Sequence, residues 1–122
     1  MRRQRWFALV LMLAFIMAGC STLRRDQRYS NWGFDELANG NYKKAEEYLQ
    51  KALEANPNNP YAILNMGVVY QKTGRKEQAR EMYEKVLALE ERLKNKHAHR
   101  SNKDWGRGEK LGEIARKNLE TL

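Results

Sequence analysis

Cysteine is nearly absent from this chain, which has one, Cys20, among 122 residues. A single cysteine excludes an internal disulfide and any zinc site built on several thiolates. Histidine is almost as scarce. His97 and His99 lie two residues apart with only Asp104 nearby, too few ligands for a specific metal site. No serine or cysteine nucleophile has a histidine partner in a recognisable motif. No glycine-rich loop could cradle a phosphate, because Gly106-Arg107-Gly108 is too short. A long apolar run is also missing: the longest, Trp6 to Ala18, falls short of the about 20 residues that span a bilayer comfortably. These absences lead us to expect no enzyme, no catalytic residues, no cofactor, no bound metal and no small-molecule substrate. The acidic pairs Glu46-Glu47 and Glu90-Glu91 are expected to be solvated helix surface.

What is present begins at the N-terminus. Arg2, Arg3 and Arg5 precede the apolar run, and Gly19 and Cys20 follow it. A charged region, a short apolar region and small residues at a processing point make an export signal. Met17-Ala18-Gly19-Cys20 resembles the lipobox of bacterial lipoproteins, with methionine where leucine is usual. The resemblance implies that residues 1–19 are removed and that Cys20 carries a covalent lipid. It also explains the odd cysteine, whose thiol would be alkylated. Two or more acyl chains give stable attachment at about 0.8 kcal/mol per buried methylene. Ser21, in place of aspartate, implies sorting to the outer membrane, with the protein facing the periplasm. The alternative is an uncleaved signal anchor.

The formal net charge is +8, and setting the three leading arginines aside leaves about +5 on the remainder. A basic domain can indicate nucleic acid. An exported protein rarely meets it, so this charge reads as solubility or attraction to an anionic envelope surface.

The rest of the chain repeats itself. A shift of 34 residues aligns Gly33 with Gly67, Gly40 with Gly74 and Ala45 with Ala79. The same shift, without a gap, sets Leu49 on Tyr83, Ala52 on Val86 and Leu53 on Leu87. Tyr42, Ala45, Leu49, Ala52 and Leu53 mark one helical face, and Ala79, Tyr83, Val86 and Leu87 another. Asn39-Gly40-Asn41 is a turn signal. Asn59 can cap a helix that has Pro60 at its first position. Glycines 33 and 67, inside helices, would let a partner helix come close; glycines 40 and 74 would end helices in a left-handed cap.

This period and residue order resemble the tetratricopeptide repeat. The resemblance implies an all-α right-handed solenoid over about 26–122, with repeat one at about 26–59 and repeat two at about 60–94. Helices are expected at about 26–39, 42–55, 60–73 and 76–95, after a lipidated linker at 20–25. Two repeats leave an apolar face open. A basic loop at about 96–107 then leads to a last helix at about 107–121, carrying Leu111, Ile114, Ala115, Leu119 and Leu122 with the polar Asn118 among them. That helix either caps the stack or forms an interface with another molecule. The loop with its flanking basic residues (Lys94, Lys96, Arg100, Lys103, Arg107) is either a solvated segment or a contact for anionic lipid or an acidic partner. Trp105 either anchors the last helix or makes an interface.

In this family the first helices of the repeats line a groove that holds a peptide or partner helix. Carried over by position, the groove residues here are Gln27, Ser30, Asn31, Phe34, Tyr61, Leu64, Asn65, Val68 and Lys72. Asn65 stands where the family often bonds a peptide backbone, since an amide both donates and accepts. Ser30 and Phe34 replace the lysine and asparagine of the carboxylate-clamp subtype, so no clamp is expected. Phe34 and Tyr61 could instead be partly core. The sequence thus points to a membrane-tethered periplasmic adaptor that binds a protein or peptide and serves a pilus, a secretion system or another envelope complex. The alternative is a cell-wall or anionic-lipid accessory protein using the basic loop.

Overall fold

A computed structural model of the chain describes residues 25–97 and 105–122, with side chains at 25–93 and 110–122. The expected signal 1–19, the lipidation residue Cys20 and most of the linker lie outside the described residues. So do His99, Asp104 and the side chains of His97 and Trp105. The described chain is all helical. Helix α1 occupies 25–38. It is followed by α2 (Tyr42–Ala55), α3 (Pro60–Lys72), α4 (Lys76–His97) and α5 (Trp105–Glu120).

The punctuation repeats with the period. Gly40 and Gly74 take φ of 78° and 79°, the left-handed region glycine enters without steric cost. At the first, Asn41 N–H donates to the Glu36 carbonyl (2.9 Å) and Gly40 N–H to Leu37 (3.0 Å). At the second, Arg75 N–H donates to Tyr70 (2.8 Å) and Gly74 N–H to Gln71 (3.2 Å). Both are the paired closing bonds of a Schellman cap, which turns each first helix back into its second. Between the repeats, the Asn59 side chain accepts from the N–H groups of Tyr61 and Ala62, with Pro60 opening α3. This is the expected cap.

Close helix approach comes from the other two glycines. A Cβ at Gly33 would stand 2.6 Å from Leu49 Cγ, and one at Gly67 2.6 Å from Tyr83 Cε1. Each second helix lays its largest inward side chain on the bare backbone of its first. Two buried clusters result. Ala45, Leu49, Ala52, Ala62, Met66 and Val69 join α2 to α3, with Tyr29 and Leu37 of α1 packed against them. Ile63, Leu64, Ala79, Tyr83, Val86, Leu89, Leu111 and Ala115 join α3, α4 and α5.

α5 packs chiefly on α4 and secondarily on α3, as α3 packs on α2. It takes the place of a third repeat's first helix, outside the 34-residue register. Leu111 and Ala115 are buried, which is the capping arrangement. Asn118, the polar residue in its stripe, hydrogen-bonds the Tyr83 hydroxyl. That hydroxyl donates to Gln71 Oε1 (2.7 Å), and Gln71 Nε2 donates to Thr121 Oγ1 (3.1 Å). Burial, opposed by the Asn118 bond, pushes the Tyr83 phenol up to about 12.

The structure corrects two expectations. The loop is shorter than 96–107, because α4 continues to His97 and α5 already starts at Trp105. Gly106 and Gly108 fall in the first turn of α5, where the burial of Leu111 and Ala115 just beyond outweighs weak propensity. The acidic pairs are not uniformly solvated either. Glu90 is 7% exposed and accepts from Arg116 Nη2 (3.1 Å). A Cβ at Gly112 would land on that carboxylate, so the bare backbone of α5 there leaves room for the Glu90 side chain as it stands. Glu46 is half-buried and holds Arg75 through two bonds of 2.9 and 2.7 Å. Glu47 and Glu91, their neighbours, are exposed as expected.

Candidate functional site: a groove lined by α1, α3 and α5

The stack leaves a groove of about 450 Å³ on the side away from α2 and α4. Ser30, Asn31 and Phe34 of α1 line it, with Tyr61, Leu64, Asn65 and Val68 of α3 and Leu111 and Ile114 of α5. Helical spacing explains the selection. Residues 30, 31 and 34, like 61, 64, 65 and 68, recur at three and four, so each set shares one helix face.

Seven of the nine residues read from the sequence line the groove. Gln27 and Lys72 do not. Both are exposed, Gln27 one turn before Asn31 in α1 and Lys72 one turn past Val68 at the end of α3. They stand beyond the ends of the lined stretch. Leu64 is buried and belongs to the core beneath, so it is the floor. Ser30 is also buried, at 4% exposure. Phe34 and Tyr61 are 55% and 45% exposed and in neither core cluster, so the alternative that they are core does not hold. Asn31 is exposed and Asn65 half-buried. The groove therefore offers an apolar floor, two large aromatic faces and two amides that can each donate and accept.

Sequence reading missed the wall supplied by α5. Leu111 and Ile114 are legible as one apolar stripe, read as a cap or an interface, but neither reading makes α5 a wall of the groove between α1 and α3. Leu111 and Ala115 cover the stack, while Ile114 is left 44% exposed at the groove edge.

The groove carries no constellation for bond chemistry. Its lining has no titratable acid or base apart from the Tyr61 phenol, and among the described residues no three His, Cys, Asp or Glu gather as a metal site. A surface of this kind holds a ligand by shape, apolar burial and amide bonds.

The family model of the tetratricopeptide repeat matches residues 36–94. The uncharacterized protein MJ0572 of Methanocaldococcus jannaschii is 34% identical over 74 residues, covering 61% of this chain and 86% of that one. Residues 36–94 are thus a tetratricopeptide-repeat region within an all-helical chain. A Synechococcus protein named photosystem I assembly protein Ycf3 is 41% identical over 51 residues, 42% of this chain and 30% of that protein. Its Prochlorococcus marinus namesake is 38% identical over 55 residues, covering 45% of this chain and 32% of that one. The chain thus spans about a third of the length of these assembly proteins.

A second exposed feature of this repeat protein lies on the outer side of repeat one. Tyr29 and Trp32 of α1 meet Tyr48 of α2, with ring centroids 5.6 to 6.5 Å apart. Lys51 Nζ lies 5.9 Å from the centroid of Tyr29 and 5.8 Å from that of Tyr48, within cation–π reach. One period later the same positions hold Ile63, Met66, Met82 and Lys85. Ile63 and Met66 are buried in the stack. Trp32, the counterpart of Met66, is 44% exposed.

Proposed function

We propose that this protein is a lipid-anchored adaptor of the bacterial envelope, whose α1–α3–α5 groove holds an apolar segment of a partner protein during assembly of a larger complex. The observation that carries the reading is the groove itself: Phe34, Tyr61, Leu64, Val68 and Ile114 supply contact area, and Asn31 and Asn65 supply backbone bonds. Amphipathic helices and extended segments are held in this way. The tetratricopeptide-repeat region supports a protein ligand, and the similar assembly proteins support a role in building complexes. The Ala18-Gly19-Cys20 motif supports the anchor, with Cys20 as its lipid site, and Ser21 supports the outer membrane and a periplasmic orientation. Pilus and secretion assemblies are the envelope systems such an adaptor suits. Two repeats and a cap make a short groove of modest intrinsic affinity. Confinement to a membrane raises the local concentration of partner and compensates for it.

The test is cross-linking and affinity purification of the tagged protein from membranes, comparing wild type with a folded Phe34→Ala, Asn65→Ala double variant. The expected result is a partner that is present with wild type and absent with the variant. A partner retained equally by both would remove the groove from the account.

A further inference from the structure

Among the described residues the aromatic face of repeat one is left partly uncovered, whereas its counterparts Ile63 and Met66 in repeat two are buried. One period later Met66 is buried in the cluster that joins α3 to α2, and Ile63 in the cluster that joins α3 to α4 and α5, so both positions become aliphatic and dry inside the stack. In repeat one the same positions are Tyr29 and Trp32, joined by Tyr48, with the Lys51 ammonium over two of the rings. This is a half-wet chemistry, in which apolar ring bodies carry hydroxyl, indole N–H and ammonium groups. Tyrosine and tryptophan concentrate at membrane–water interfaces for this reason. The flanking charge agrees. Arg25 and Arg28 are exposed, one turn before Tyr29 and Trp32 respectively, and Arg24 precedes them, while Asp26 between them is buried. Asp26 is turned inward, accepting from Asn56 and Asn59 at 2.9 Å each. Asp35 and Glu47 are the exposed acids within a turn of the rings, which leaves the end nearest residue 25 basic.

Chain length adds a further constraint. Four residues lie between Cys20 and Arg25, and the five steps of a fully extended chain between them reach about 18 Å at most. Tyr29 and Trp32 lie about 6 and 10 Å further along α1. A lipid on Cys20 therefore keeps this face within reach of the bilayer that holds it.

We infer that the Tyr29–Trp32–Tyr48–Lys51 face is a membrane seat, which lies against the headgroup layer of an anionic bilayer and fixes the orientation of the stack. The inference rests on the proposed lipid anchor at Cys20. Its role is to fix how the stack lies on the bilayer, so that the groove is presented at a set angle and does not swing on a tether.

The test uses the full mature protein purified with its lipid and reconstituted into vesicles of phosphatidylethanolamine and phosphatidylglycerol, with bromine-labelled lipid as quencher. Intact mass first reads whether Cys20 is acylated. With acyl chains present, tryptophan emission is expected to fall when brominated lipid is included. Trp32→Phe should remove most of that loss, and Trp105→Phe should leave it in place. Lys51→Gln should reduce the loss in anionic vesicles more than in purely zwitterionic ones. An acylated protein whose Trp32 is not quenched overturns the membrane seat and leaves the anchor standing. So does an acylated protein cross-linked between copies through Lys51, because a second copy then covers the face. Absence of acyl chains sinks the anchor and this inference together.

Discussion

Repeat one and repeat two share a skeleton and differ in what surrounds them. Both have a glycine under a large side chain, a Schellman cap at a left-handed glycine, and a buried alanine at the second helix. Repeat two lies between repeat one and α5, and Ile63, Met66, Tyr83 and Val86 are all nearly inaccessible. Among the described residues repeat one has a neighbour on one side, and Trp32 is 44% exposed. The comparison teaches that the 34-residue pattern specifies the unit, while the residues that vary between units report position in the stack. Aliphatic residues mark an internal unit and amphipathic aromatics mark an end. α5 finishes the other end, and in doing so supplies a groove wall that the repeats lack.

The comparison can be broken in several ways. The largest effect is expected from truncation after Gly108. It uncovers repeat two as repeat one is uncovered, but at the aliphatic positions that Leu111 and Ala115 now cover. The loss should exceed about 3 kcal/mol, since burying one side chain such as Leu111 is worth about 1.5–3 kcal/mol. Thermal melting reads it, and an unchanged Tm would contradict capping. Next come the paired positions. Met66→Ala should cost about 2–5 kcal/mol, as buried truncations do. Trp32→Ala should cost about 1 kcal/mol, the worth of its ring contacts. Equal losses in urea titrations would erase the distinction between an internal and a terminal repeat.

The glycines sharpen the same point. Gly67→Ala and Gly33→Ala each overpack a helix crossing, at about 1–3 kcal/mol. Gly67 should be the costlier, because the Tyr83 ring cannot yield as the end of Leu49 can.

The smallest effect concerns the link between the repeats. Hydrogen bonds from Arg75 hold the Glu46 carboxyl below its ordinary value, against a weaker opposing effect of burial. A lowered folded value stabilises above the unfolded pKa of 4.5 and fades as pH falls through the folded one. Both side chains are about a third exposed, so the pair contributes under about 1 kcal/mol. Glu46→Gln should flatten stability against pH below 4.5 by that amount and leave it unchanged in slope near neutrality.

Much of this was legible in the sequence because it is periodic. The helices and their caps follow from one 34-residue shift and helical spacing, and seven groove positions from the family resemblance that the shift reveals. What escaped is aperiodic. α5 sits outside the register, so the shift could not place Ile114 against Phe34 and Tyr61. Glu90 looks like any surface acid until Gly112 is seen to make room for it. Tyr29 and Trp32 share one turn of α1, but the aromatic face was hidden because Tyr48 joins them only when α1 and α2 pack.

The most direct test of the account is site-specific photo-cross-linking in native membranes. The cross-linker is placed in turn at Phe34, at Ile114 and at Glu84, which is exposed on α4 outside the groove lining. The account predicts adducts to one and the same protein from Phe34 and Ile114 and none from Glu84. Adducts from Glu84 alone, or different proteins at Phe34 and Ile114, would contradict a single groove built by the repeats and α5 together.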